Sequence, residues 1–131
     1  MKIDHIGIAT RELKDATALW CDALGLAADA AEEVAEQGVR LVMLPIGESQ
    51  IELLEPISQD SPVGRFLERR GPGIHHIAIG VDDIREALLQ LKQKGARLID
   101  ETPRTGAGGC LVAFVHPSSA NGVLLELVQH Q

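Results

Sequence analysis

Apolar and polar positions alternate from Lys2 to Ala9, with Ile3, His5, Gly7 and Ala9 on one face and Ile6 and Ile8 on the other. That period of two predicts a strand. The period then lengthens, and Leu13, Ala16, Leu19, Trp20, Ala23 and Leu24 form the stripe of an amphipathic helix. Thr10 is placed to cap it and Gly25 to end it. Residues 26–35 are alanine-rich, which favours helix, but their place between a helix stop and a strand favours an extended strand with a loop. Strands are predicted at 38–44 and 50–54, separated by the turn Pro45-Ile46-Gly47-Glu48. The second of these puts Gln50, Glu52 and Leu54 on one face.

Ser61-Pro62 starts a short helix, with serine as cap and proline at its first position, carrying Val63, Phe66 and Leu67 and ending near Arg69-Arg70-Gly71. The opening order then recurs. A strand at 74–81 leads to a helix capped by Asp82 or Asp83, with Ile84, Ala87, Leu88 and Leu91 at helical spacing and Gly95 as the stop. Short strands follow at 97–100, 111–115 and 123–128, with Gly106-Ala107-Gly108-Gly109 as a flexible loop. The order is βαβββ, bridge, βαβββ. His5 and His76 are 71 residues apart, Gly25 and Gly95 70, and Glu52 and Glu126 74. Three landmark pairs at nearly constant offset mark a duplicated module. The expected organisation is one domain over 1–131, with module 1 at 1–57, a bridging helical segment at 58–72 and module 2 at 73–131.

Composition narrows the function by exclusion. An apolar content of 45% with 24% charged residues describes a soluble globular chain. A net charge of -7 and only three aromatic residues, Trp20, Phe66 and Phe114, leave neither the basic footprint nor the stacking platform of a nucleic-acid binder. No apolar run approaches the ~20 residues of a membrane span. The opening Met1-Lys2-Ile3-Asp4-His5 sets an acidic residue where a signal peptide needs apolar ones. Cys21 and Cys110 have no framework spacing, as expected of free thiols in a reducing cytoplasm.

In each module the histidine lies on the first strand and the glutamate on the last. If the modules pair through their first strands, His5, Glu52, His76 and Glu126 converge inside one curved sheet. Imidazole with carboxylate is a donor set for divalent Mn, Fe, Co, Ni or Zn, and four such ligands in an octahedral arrangement leave two positions for water or substrate. A single histidine in an apolar strand is ordinarily a hydrogen-bonded core residue, and a glutamate in such a strand ordinarily faces solvent. It is the repeat that raises all four together. His75 has the opposite side-chain parity and is expected on the other face; laying the first module on the second selects His76.

The tandem pattern with these four positions resembles the vicinal oxygen chelate superfamily of glyoxalases, bleomycin resistance proteins and dioxygenases, and within it the methylmalonyl-CoA epimerase family. The stretches that carry the likeness are Ile3-Asp4-His5-Ile6-Gly7-Ile8-Ala9, Glu52-Leu53-Leu54-Glu55-Pro56, Asp60-Ser61-Pro62 and Gly73-Ile74-His75-His76-Ile77-Ala78. Gly106-Ala107-Gly108-Gly109, His116-Pro117 and Gly122-Val123-Leu124-Leu125-Glu126-Leu127 complete it. The resemblance implies an α+β fold in which the two modules form a curved, half-barrel mixed sheet with helices outside. It also implies a divalent metal (Co, Mn, Ni or Zn) on His5, Glu52, His76 and Glu126, an acyl-CoA substrate, and Glu126 as a proton-transfer base. A homodimer in the cytoplasm is expected.

Two positions depart from the family pattern. Some members carry glutamine at Glu52, and some carry a candidate acid/base glutamate where this chain has Arg40. Arginine is not deprotonated at working pH, so Arg40 either holds a substrate carboxylate or thioester or is a solvated strand residue. Glu48, Gln50 or a metal-bound water are candidates for the opposite base. Arg65, Arg69 and Arg70 form a basic solvent face or meet the phosphates of coenzyme A. Gly106 to Gly109 is a lid or a long hairpin turn, and His116-Pro117 shapes a strand end or touches substrate. The rival readings are a metal-dependent glyoxalase, whose ligand set is the same, a ring-cleaving dioxygenase, and a non-catalytic drug-binding module.

Overall fold

The computed structural model describes all residues from Met1 to Gln131. It holds eight strands and three α-helices in the order β1(Lys2–Ala9), α1(Leu13–Thr17), β2(Glu32–Val34), β3(Val39–Ile46), β4(Ser49–Pro56), α2(Pro62–Arg70), β5(Gly73–Gly80), α3(Ile84–Gln93), β6(Arg104–Thr105), β7(Leu111–Val115) and β8(Leu125–Gln129). This is the βαβββ order twice over, in the α+β class. Two compact units divide the chain, one of His5–His75 and the other of His76–Gln131 together with Met1–Asp4.

In the first unit the strands run β2-β3-β4-β1. β4 pairs with β1 in parallel and with β3 antiparallel, and β2 adds antiparallel to the far edge of β3. Val42, Leu44 and Leu53 are its buried core, with Ile8, Leu13 and Trp20 packed against them. Pro45 is a strand residue opposite Gln50, so the turn between β3 and β4 shrinks to residues 47–48. A proline is tolerated there because β2 pairs β3 only as far as Leu41, and the missing N–H costs no ladder bond on that side. α2 starts as the sequence predicts: Ser61 Oγ accepts from Gly64 N at 3.1 Å, and Pro62 takes the first turn.

The first helix departs from expectation. Thr10 does not cap it; its N–H and Oγ1 both donate to the Leu54 carbonyl, at 2.8 and 2.9 Å, and the helix begins only at Leu13. After five residues it widens into a π turn at Ala18–Ala23, closed by Leu24 N to Leu19 O at 2.9 Å. The i→i+5 step rotates the stripe out of phase. Leu13, Ala16 and Trp20 therefore reach the core while Leu19 and Leu24 stay 62% and 63% exposed. Of residues 26–35, only Glu32–Val34 becomes strand.

The second unit repeats the plan as β5-β8-β7-β6, with β8 parallel to β5 and antiparallel to β7, and β6 antiparallel to β7. α3 is regular, and it is Asp83 that caps it, accepting from Glu86 N at 3.1 Å. Its Ile84 and Leu88 bury against Ala113 and Leu127. Gly25 and Gly95, the predicted helix stops, take φ of +92° and +87°, a conformation that costs side-chain-bearing residues steric strain.

Residues 97–100 do not form the predicted strand. Ile99 N and Asp100 N both bond the Phe114 carbonyl while Asp100 Oδ2 accepts from Phe114 N, which turns the segment away from a ladder and leaves one bridge, Leu98 to Val115. The edge strand falls instead at Arg104–Thr105. Residues 106–109 are the connection from β6 to β7, tightened by a 3₁₀ turn at Ala107–Gly109. β8 opens at Leu125 rather than at 123, and His116 shapes the preceding turn by accepting from Ser118 N at 3.0 Å.

Candidate functional site

Each unit carries one buried histidine–glutamate pair, and strand register explains both. In the first, parallel pairing sets Glu52 opposite Gly7, two residues beyond His5 on the same face of β1. With only hydrogen at Gly7, the diagonal is open, and His5 Nε2 lies 3.4 Å from Glu52 Oε1. In the second, Glu126 is opposite Ala78, two residues beyond His76, and His76 Nε2 lies 3.0 Å from Glu126 Oε1. The small residue at the direct rung recurs along with the pair.

These side chains are enclosed. His5, Glu52, His76 and Glu126 are 4%, 5%, 4% and 4% exposed. Withdrawing a carboxylate from water costs several kcal/mol unless positive charge compensates it, and each glutamate here faces an imidazole edge. Two ligand atoms held cis by a cation at about 2.1 Å stand about 3.0–3.4 Å apart, the spacing each pair shows. The donor chemistry and spacing within each pair therefore fit a divalent metal.

Sequence reasoning overlooked Phe114. Its ring meets His76 edge to face, 5.8 Å between centroids at 88°, an aromatic contact that favours one orientation of the imidazole. The register Phe114 opposite Glu126 is the signal that would have found it. His75 faces elsewhere, with its ring 5.1 Å from Phe66 of α2.

Among the other residues singled out, Gln50 is half-buried opposite His5, and Glu48 lies exposed in the turn. Arg40 extends from β3, its side chain 53% exposed, and pairs with Glu55 at 3.6 Å, which accounts for it as a solvated strand residue. Arg65, Arg69 and Arg70 are exposed on α2, with Arg70 stacked 5.8 Å over the Phe66 ring.

The sequence profile of the Glyoxalase/Bleomycin resistance protein/Dioxygenase superfamily matches residues 4–114. Among curated proteins, the chain is 39% identical to the mitochondrial methylmalonyl-CoA epimerase of Homo sapiens, covering 98% of this chain and 73% of that protein. It is 38% identical to the ethylmalonyl-CoA/methylmalonyl-CoA epimerase of Cereibacter sphaeroides, over 98% of this chain and 97% of that one. Among solved structures, a substituted form of the Streptomyces coelicolor methylmalonyl-CoA epimerase, in complex with 2-nitronate-propionyl-CoA, superposes with a TM-score of 0.95. It is 40% identical, covering 98% of this chain and 94% of that chain.

Proposed function

Because the chain belongs to the glyoxalase/bleomycin resistance/dioxygenase superfamily, and within it to the methylmalonyl-CoA epimerases, we propose that it interconverts the (R) and (S) forms of methylmalonyl-CoA. The observation that carries the reading is the repeated pair: the same buried histidine and glutamate in each half of a chain that matches named epimerases nearly end to end.

Epimerisation takes the α-proton of the thioester from one face and returns one to the other. Glu126 is the proton acceptor in this reading. Its Oε1 lies 3.0 Å from His76 Nε2, and the His76 ring in turn meets Phe114, contacts that help to orient the carboxylate. In this reading His5, Glu52, His76 and Glu126 together would hold a divalent cation, and within each unit the imidazole nitrogen already lies beside the glutamate oxygen. Such a cation supplies Lewis-acid stabilisation of the negative charge left on the thioester. The buried position excludes water, which strengthens each of these interactions.

The substrate class is an acyl-CoA, and Arg65, Arg69 and Arg70 are the exposed cations available to its phosphates. No helix is long and apolar enough to cross a membrane. A homodimer in the cytoplasm belongs to the same proposal, and the exposed Leu19, Leu24 and Ile74 support the self-association.

The test uses protein reconstituted with Co²⁺ and incubated with methylmalonyl-CoA in D₂O, with the α-proton followed by NMR. Exchange that chelation stops, and that His76→Ala and Glu126→Ala abolish, is expected. Lactoylglutathione formation from the hemithioacetal without α-exchange would move the chain to the glyoxalases. Silence in both assays, with metal bound, would remove the proposed chemistry.

A further inference from the structure

At the opposite end of the β7–β8 ladder from the Phe114–Glu126 rung lies a second constellation of chemically active side chains. The register that sets Leu111 opposite Gln129 continues by one step, bringing Cys110 to His130. Cys110 Sγ lies 3.1 Å from His130 Nδ1, and His130 Nε2 bonds Asp4 Oδ1. Thiol, imidazole and carboxylate are thus in line, each ring nitrogen committed to one partner. Asp4 is 3% exposed and Cys110 9%, while the His130 side chain is 56% exposed. Cys110 packs with Ala78, Val112 and Val128, and Gln131 Nε2 ties the neighbouring Gly109 carbonyl at 2.9 Å.

The order of groups has a direct chemical meaning. A carboxylate that accepts from one imidazole N–H fixes the tautomer and leaves the other nitrogen with a lone pair. Here that lone pair faces sulfur. The thiol packs among Ala78, Val112 and Val128, with the imidazole nitrogen placed to take its proton and the carboxylate behind the ring. Nucleophile, base and orienting group in sequence are the arrangement that activates a thiol.

We propose that Cys110, His130 and Asp4 form a nucleophilic centre at which Cys110 accepts an acyl group from an acyl thioester. The thiol proton passes to His130 Nδ1, and Sγ attacks the thioester carbonyl carbon. The bond from that carbon to the departing sulfur breaks, and the leaving thiolate takes the proton back from Nδ1. The products are S-acyl Cys110 and a free thiol, with no change of oxidation state. The choice of donor rests on the acyl-CoA reading above; the activation of Cys110 rests on the geometry alone.

The experiment incubates the full chain with acetyl-CoA and, separately, methylmalonyl-CoA. It reads the intact mass, the modified peptide and released coenzyme A by chromatography. The expected result is one acyl group on Cys110 and none on Cys21, with coenzyme A released in equal amount. His130→Gln, at an exposed position, is expected to fold and to slow acylation by about tenfold or more. Asp4→Asn is expected to slow it in the same direction. Cys110→Ser should take no acyl group and should keep α-proton exchange at the native rate. An unmodified Cys110, equal acylation of Cys21, or an undiminished rate in His130→Gln would overturn the proposal. Alkylation of Cys110 by iodoacetamide without acylation would overturn the acyl-acceptor assignment as well. Exchange without acylation sinks this inference alone, and acylation without exchange sinks the epimerase reading alone.

Discussion

Glu52 sits opposite Gly7 in the first half of the chain, and Glu126 opposite Ala78 in the second, each two residues on from its histidine. Around these matched rungs the halves differ in nearly every detail. The antiparallel partner of Glu52 is Met43 and that of Glu126 is Phe114, whose ring meets His76 edge to face. Residues 47–48 connect the first hairpin, whereas residues 116–124 and a 3₁₀ turn connect the second. That difference explains why the glutamates are 74 residues apart and the histidines 71. The first helix is short, uncapped and passes into a π turn; the second has ten residues and an aspartate cap. Register is what the histidine–glutamate contact requires. Turn length and helix regularity touch neither side chain, and the copies have been free to diverge there.

The largest expected effect separates the two glutamates. Glu126→Gln should lower the turnover of α-exchange by about 10²–10⁴-fold, the usual worth of a positioned acid or base. Glu52→Gln should stay within about tenfold while weakening metal affinity by dialysis. Equal losses in both variants would mean that the halves are chemically interchangeable. Next comes core packing. Ile84→Ala, at a site with no exposure, should cost about 2–5 kcal/mol in urea unfolding. Leu13→Ala on the half-buried face of α1 should cost clearly less, and a reversal would show that the irregular helix is the stronger clamp. Helix caps give a smaller contrast: Asp83→Ala and Ser61→Ala should each cost about 1 kcal/mol, while Glu12→Ala, at a start with no cap bond, should cost a few tenths. The smallest effect is at Arg40, where alanine should change stability by about 0–1 kcal/mol and leave KM for the thioester unaltered. A large rise in KM would return Arg40 to the substrate.

The repeat makes the site's ingredients legible in the linear chain. Alternation in β1 and β5, glycine stops at both helix ends and the constant offset of histidine and glutamate are local patterns that need no knowledge of distant partners. What escaped depended on partners far away in sequence. Thr10 looks like a cap until Leu54 is beside it, and the side chain of Asp100 ends a strand only because Phe114 N is its partner. Residues 18–23 have ordinary helix composition, and nothing in Ala-Leu-Trp-Cys-Asp-Ala distinguishes an i→i+5 turn from an i→i+4 one. Phe114 against His76, like Cys110 against His130, required the β7–β8 register.

The π turn carries a consequence for how the molecule breathes. α1 and the turn that follows contain no fully buried residue and no side-chain cap, and Leu19 within them and Leu24 just after them lie in solvent. A segment so lightly anchored opens locally at a small fraction of the free energy of global unfolding. Its amides should therefore trade their hydrogens for deuterium early. Those of α3, pinned by Ile84 and Leu88, should hold theirs until the whole second unit lets go. The copy that has lost its helical regularity is then also the one that fluctuates, a difference in motion between halves that share one strand register.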